Sequence, residues 1–154
     1  MSVKDFVQQR RDDFIAMRRD FHMYPEPAWL EYRSASKVAE KLISLWYDVA
    51  LGADVLDLDS RMGLPSEEVM KAAMARAMDE GADPELVEKM GYGKTAIVAT
   101  MKFSDDGPVV AFRADMDSND VIESKASNHI PAKIGFRSRH DKAMHACGHD
   151  THMT

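Results

Sequence analysis

The stretch "HACGHDTH", residues 145–152, holds three histidines and the only cysteine of the chain. Thiolate and imidazole are donors that borderline-soft divalent ions accept, and a bound ion keeps the thiol deprotonated. Cys147 and His149 stand two apart. On a helix their side chains would diverge by about 200°, whereas in an extended or loop segment both can face one cation. His145, His149 and His152 are spaced by four and three, so a helix starting here would present some of them together. A loop with solvated histidines and a buried cysteine is the alternative. Asp115 and Asp117 close the run "PVVAFRADMD", and their carboxylates point the same way if a strand persists that far. Open α/β sheets place their sites beyond the carboxyl ends of strands. Alone, the aspartate pair reads as a solvated turn; beside the Cys/His cluster it reads as the second edge of one metal centre.

Elements must bring these two groups together. Ser2 followed by Asp5 is a capping pair, and Phe6, Val7, Phe14, Met17 and Phe21 recur at helical spacing, which predicts one helix to about Phe21. "YPEP" ends it, because Pro25 and Pro27 cannot continue a helix interior. From Glu31, the apolar positions Ala35, Val38, Leu42 and Leu45 predict a second amphipathic helix ending near Trp46, and "YDVAL" a short strand. Residues 63–90 predict a helical hairpin inserted before the sheet, with Pro65 in a first turn, Gly81 as a stop, and Asp83 and Pro84 as a restart. Its stripe of Met70, Ala73, Met74, Ala77 and Met78 reads as packing rather than a set of sulfur ligands. "TAIVATMKF" and "PVVAFRADM" flank the turn-forming "SDDG" and predict two strands joined by a tight hairpin, the second covered on both faces. Residues 118–143 have no clear period and predict a long loop of the kind that carries function.

Composition narrows the partners. The chain has 154 residues, 45% of them hydrophobic, enough for one globular core. Its net charge of −6 with interspersed signs leaves no basic face for a phosphate backbone, which argues against nucleic acid. The charged start "MSVKDFVQQRRDDF" lacks the apolar run of a signal peptide, and no segment approaches the ~20 apolar residues that span a bilayer, so the expected location is the cytoplasm, away from membranes. A single cysteine cannot staple the chain to itself; it is a buried thiol, a reactive thiol or a metal ligand.

In order and spacing, "RRDFHMYPEPAWLEYRSA", "GPVVAFRADMD" and "MHACGHDTH" resemble the amino-terminal part of the amidohydrolase branch of the M20 metallopeptidases. The resemblance implies an α/β fold, the amino-terminal part of the catalytic domain, with helices packed on a mixed sheet and the hairpin at 63–90 as an insertion. By position in the motif, Cys147 and His149 match metal ligands, and Asp117 matches the aspartate that supports the centre, the candidate catalytic residue. Asp115 stands where dipeptidase relatives carry a ligand histidine and is not counted as a ligand. His145 and His152 acquire no role, and His22 of the first motif is read as structural. One or two divalent ions, manganese or zinc, are implied, with two in a complete enzyme.

The implied substrate is an N-acyl or N-aroyl amino acid. The stretches "SRMGLPSE", "EGADPE" and "TAIVAT" narrow the resemblance toward members that act on p-aminobenzoyl-glutamate. The implied assembly is a homo-oligomer or a complex with a related second subunit. Two departures stand out. After "RADMD" the branch usually continues with a small residue, a leucine and often a proline, whereas this chain has Ser118, Asn119 and Asp120, which is expected to reshape the pocket wall. The family's general-base glutamate, further histidine ligands and lid-like dimerisation domain are expected after the last of these motifs, so the 154-residue chain by itself is expected to be inactive. Two other readings stay open: a non-catalytic fragment or interaction subunit, and a small structural zinc site built from Cys147, His149 and either His145 or His152.

Overall fold

The computed structural model describes residues 1–154. The capping pair forms: Ser2 Oγ accepts the Asp5 backbone N–H at 3.2 Å while Asp5 accepts that of Ser2, also at 3.2 Å. The helix it starts is shorter than the spacing predicts. The chain breaks at Arg10 into α1, Val3–Gln9, and α2, Arg11–Met23. No residue of α1 is buried, so Phe6 and Val7 lie on a helix with no packing partner, and only the carboxyl end of α2, Phe21 and His22, enters the interior.

After the "YPEP" corner comes α3, Tyr32–Ser44. Its first turn is not capped by its own N-cap residue, Glu31. The fully buried Glu26 supplies the acceptors: its carboxylate takes the backbone N–H of Arg33 at 3.0 Å and of Ser34 at 2.8 Å. Burial pushes the Glu26 carboxyl up to about 7, against the pull of those two donors. The amino-terminal half of α3 is the buried half, through Tyr32, Ala35 and Ala39, whereas Ile43, Leu45 and Trp46 at its end are exposed.

β1, Asp48–Leu51, leads through a 3-10 turn at Gly52–Asp54 into the helical pair α4, Glu67–Asp79, and α5, Pro84–Lys89. Ser66 and Asp83 cap the two helices, and the turn between them contains Gly81, whose φ of +90° is a conformation glycine adopts without strain. The methionine stripe packs as a stripe. Met70, Ala73, Met74 and Ala77 join Leu30, Tyr32, Ala35, Ala82, Val87 and Met90 in one hydrophobic cluster. The core therefore lies mainly between α3 and the α4/α5 pair, with Leu51 of β1 and Ile97 packed against its edge.

The sheet is smaller than the expected mixed sheet. β2, Ile97–Thr100, pairs antiparallel with β1 in the register Asp48↔Thr100 to Leu51↔Ile97, and these two strands are the whole of it. The expected hairpin between "TAIVATMKF" and "PVVAFRADM" does not form, since residues 108–117 join no ladder. Val109 and Phe112 are 100% and 95% exposed. A run that is apolar on successive positions is stable as a strand when layers cover both faces, and here neither face is covered. Residues 118–143 form a long irregular segment with one helical turn, α6, Ile130–Lys133. α7, His149–His152, ends the described elements.

Candidate metal centre

Two irregular segments are stitched edge to edge to make the site. Asn119 donates its N–H to the Met144 carbonyl at 3.0 Å and accepts that of Met144 at 3.1 Å. The Asn119 side chain adds a third bond, its Oδ1 accepting the Ala146 N–H at 3.2 Å. Ser118 N–H donates to the Glu26 carbonyl at 2.8 Å, which ties the aspartate segment to the corner between α2 and α3. Ser118 and Asn119 are residues at which the chain departs from the usual pattern of the branch, and here they align the aspartates with the histidine segment.

Gly148 turns the chain into α7 with a φ of +92°, in the left-handed region that favours glycine. The turn brings His149 against Asp117: Nδ1 lies 2.7 Å from the Asp117 carbonyl oxygen and 3.0 Å from its Oδ1. With acceptors only on that side, Nδ1 carries the proton and Nε2 is left with its lone pair free. Metal-binding histidines are held in this way, one nitrogen fixed by a carboxylate or carbonyl and the other facing the ion. Asp115, His149 and His152 each offer a ligand atom within 4.8 Å of the others. Asp115 Oδ1 is steadied by Arg113, which donates from Nε and Nη2, each at 2.8 Å.

The structure brings some of the candidate residues together and leaves others apart. Asp117 and His149 are brought together. Cys147 is exposed and lies outside the three-residue set, while Asp115, discounted as a ligand, and His152, given no role, are inside it. One carboxylate oxygen and two imidazole nitrogens form a donor set that suits zinc or manganese, so the residues fit the implied ion. His145 is buried with neither ring nitrogen bonded, and burial pushes it down to about 4, which keeps it neutral.

Behind α7 lies a buried polar chain that the spacing did not reveal. Asp150 Oδ2 accepts from Arg18 Nε and from His22 Nδ1, both at 2.9 Å. On its other side His22 Nε2 is 3.0 Å from Glu123 Oε1, which His129 Nε2 also reaches at 2.7 Å. Glu123 Oε2 accepts the Ser138 N–H, and Arg137 donates to the Glu123 carbonyl. Burial opposes charge on His22, yet its bonds to the two carboxylates outweigh that and raise its pKa. Burial likewise disfavours charge on Glu123 and Asp150, but the bonds from His22 and its neighbours leave both below the usual carboxylate range. Arg18 and His22 are four apart on α2, so their shared face was readable; Glu123 sits in a segment without period, and nothing local marks it.

No family model matches the chain. Individual proteins do. The chain is 43% identical over 98% of its length to one of the subunits of the p-aminobenzoyl-glutamate hydrolase of Escherichia coli K12. It is also 43% identical over 97% of its length to an indole-3-acetyl-aspartic acid hydrolase of Enterobacter agglomerans. A crystal structure of an aminobenzoyl-glutamate utilization protein from Klebsiella pneumoniae matches with a TM-score of 0.75 and 43% identity, over 79% of this chain and 31% of that one. The chain belongs to the amidohydrolase branch of the M20 metallopeptidases. It spans about a third of the length of the curated relatives it matches, 34% and 35% of the two named above. In this family member the second motif supplies Asp115 and Asp117 and the third His149 and His152, while the first reaches these segments from behind, through His22 bonded to Asp150 and the Glu26 carbonyl bonded to Ser118.

Proposed function

We propose that the chain is the amino-terminal part of a metal-dependent amidohydrolase that cleaves the amide bond of an N-acyl or N-aroyl amino acid. The observation that carries this reading is the convergence of Asp115, His149 and His152, with His149 oriented by Asp117 so that Nε2 faces outward from that bond. Both relatives are named for an aromatic acyl group joined to an acidic amino acid, which supports p-aminobenzoyl-glutamate as the leading substrate. In this reading Asp115, His149 and His152 hold zinc or manganese, and Cys147, the adjoining exposed thiol, joins them as the resemblance implies. An ion held there polarises an amide carbonyl and acidifies water near neutral pH. Asp117 keeps His149 in one tautomer and one orientation.

The buried glutamates Glu26, Glu31 and Glu123 are each already bonded within the fold, so none is free to take a proton from water. As the resemblance implies, a general base and a second ion are expected from the longer protein, and the chain by itself is predicted to hydrolyse no amide. The Escherichia coli relative is named as one subunit of its hydrolase, which supports assembly with a related second subunit or with further copies. No helix is long and apolar enough to cross a membrane, and the proposed location is the cytoplasm.

Calorimetric titration with zinc and manganese tests the reading. One site is expected in the unsubstituted chain and none in His149→Ala; equal binding by both, or none by either, would overturn it. One other reading is a metal-binding module without catalysis, which the internal bonding of Glu26, Glu31 and Glu123 favours. Tight zinc binding that strongly raises the melting temperature, together with no hydrolysis by the longer protein, would favour that module.

A further inference from the structure

We propose that His22 is a positioning residue of the metal centre: by bridging Asp150 and Glu123 it locks α7, and with it His149 and His152, against Asp115 and Asp117. The proposal rests on the metal-site reading above and adds a part of the chain that the motif does not assign to it.

Three observations carry it. First, α7 is a single turn of four residues, too short to hold its own orientation, so something outside must fix which way its histidines face. Second, the side chain that leaves the opposite face of this turn, Asp150, is fully buried, and its Oδ2 is bonded to residues of α2, His22 and Arg18, more than a hundred positions earlier. Third, the bridge does not stop at Asp150. His22 is 3% exposed and its second nitrogen reaches Glu123, which is 1% exposed and gathers His129 and Ser138. Phe136 closes the edge of the His22 ring at a centroid distance of 5.4 Å.

The geometry makes histidine hard to replace. Both partners of His22 are carboxylates, so the bridge needs a donor at each end of one rigid ring. Glutamine offers donors at one end only, and alanine none. Loss of the bridge leaves Asp150 with Arg18, whose side chain is 38% exposed, and frees the turn to rotate about Gly148. The ligand nitrogens then have to be ordered when the ion binds, and affinity falls. Groups that orient ligands from behind a metal site typically change metal affinity by about 10–100-fold when removed.

The test is zinc titration of the whole 154-residue chain, comparing the unsubstituted protein with His22→Gln, Arg18→Ala and Met74→Ala. Met74 lies in the α3/α4/α5 core, away from the bridge, and controls for lost stability. Folding is checked by circular dichroism and melting temperature. The expected result is an affinity loss of about 10-fold or more in His22→Gln, a smaller loss in Arg18→Ala, and none in Met74→Ala at a comparable drop in melting temperature. Should His22→Gln fail to fold, the Arg18→Ala and Met74→Ala pair decides by the same criterion. A second readout needs no ion: the nitrogen shifts of His149 should show a fixed Nδ1–H in the unsubstituted chain and tautomer averaging in the His22 variant. Unchanged affinity in both bridge variants overturns the proposal while the metal reading stands, and so does equal loss in the Met74 control. Absence of zinc binding by the unsubstituted chain overturns the metal reading and this proposal together.

Discussion

Replacing Glu26 by alanine probes how the fold positions its site. Glu26 does the work of an N-cap from six residues outside α3, and its two oxygens satisfy the N–H groups of Arg33 and Ser34. Removing a capping side chain costs about 1 kcal/mol, and each buried donor left without a partner about 1–3 kcal/mol. Allowing for partial relaxation, Glu26→Ala should lose about 2–4 kcal/mol, a large share of a typical domain stability. Urea unfolding at fixed pH reads this directly. The same variant has a pH signature. In the folded chain the Glu26 carboxyl titrates at about 7, against 4.5 for an unperturbed glutamate. Between these values the folded state binds more protons than the unfolded state, so unfolding free energy falls as pH rises through the window. The shift bounds this loss at about 3 kcal/mol. Glu26→Ala should therefore be destabilised most at pH 4–5 and least above pH 7, because at high pH the parent already bears the cost of a buried charge. A loss below about 0.5 kcal/mol, within the range of ordinary surface substitutions, or a loss independent of pH, would refute the assignment of Glu26 as the buried cap.

Other outcomes follow from the same geometry. His145 is pushed down to about 4 against an ordinary 6.5, so its contribution to stability is present above pH 6.5 and lost as pH falls toward 4; His145→Phe should flatten that part of the curve of melting temperature against pH and change stability little at pH 7.5, since neither ring nitrogen has a partner to lose. Cys147 is exposed, so it should react quickly and stoichiometrically with a disulfide reagent, and zinc should slow the reaction if the thiol joins the centre; an unaltered rate in saturating zinc would remove Cys147 from the ligand set. Gly148→Ala meets no atom within 4 Å, so its effect should be conformational alone: about 1 kcal/mol of stability, measured by denaturant unfolding, with α7 reoriented and zinc affinity reduced.

Where one interaction is local, the sequence was readable. The Ser2/Asp5 cap, the proline stop after α2, the glycine turn between α4 and α5 and the methionine stripe each follow from neighbours within a few positions. The prediction of α1 and α2 as one helix missed because spacing alone does not show that Phe6 and Val7 have nothing to pack against. The strand expected at 108–116 missed for a related reason. Its apolar pattern states what the run requires, two covered faces, and pattern cannot say whether the rest of the fold supplies them. The site divides in the same way. Asp117 beside His149 was legible from motif order, whereas the entry of Asp115 and His152 depends on how Gly148 and Asn119 set the two segments. The link from His22 to Asp150 spans 128 positions and leaves no periodic trace.

These facts give the two arms of the site unequal support. The histidine arm is anchored from behind through Asp150 to α2 and edge-on through Asn119, so His149 is held before any ion arrives. Asp115 follows directly on the uncovered run at 108–114, and its one side-chain bond is to Arg113, itself largely solvent-exposed. Bringing Asp115 into a coordination sphere must therefore order a segment that no ladder holds, at roughly 1–2 kcal/mol per residue fixed. Covering 108–112 with another strand would supply that order in advance and tighten metal binding without touching a ligand. Substituting Val109 and Phe112 by serine isolates this effect: in the chain as described both side chains face solvent, so zinc affinity should stay the same. Any assembly that pairs this run should instead lose affinity on the same double substitution. A drop in zinc affinity in the chain by itself would mean that the run already packs in solution, and the two arms would then be equally well supported.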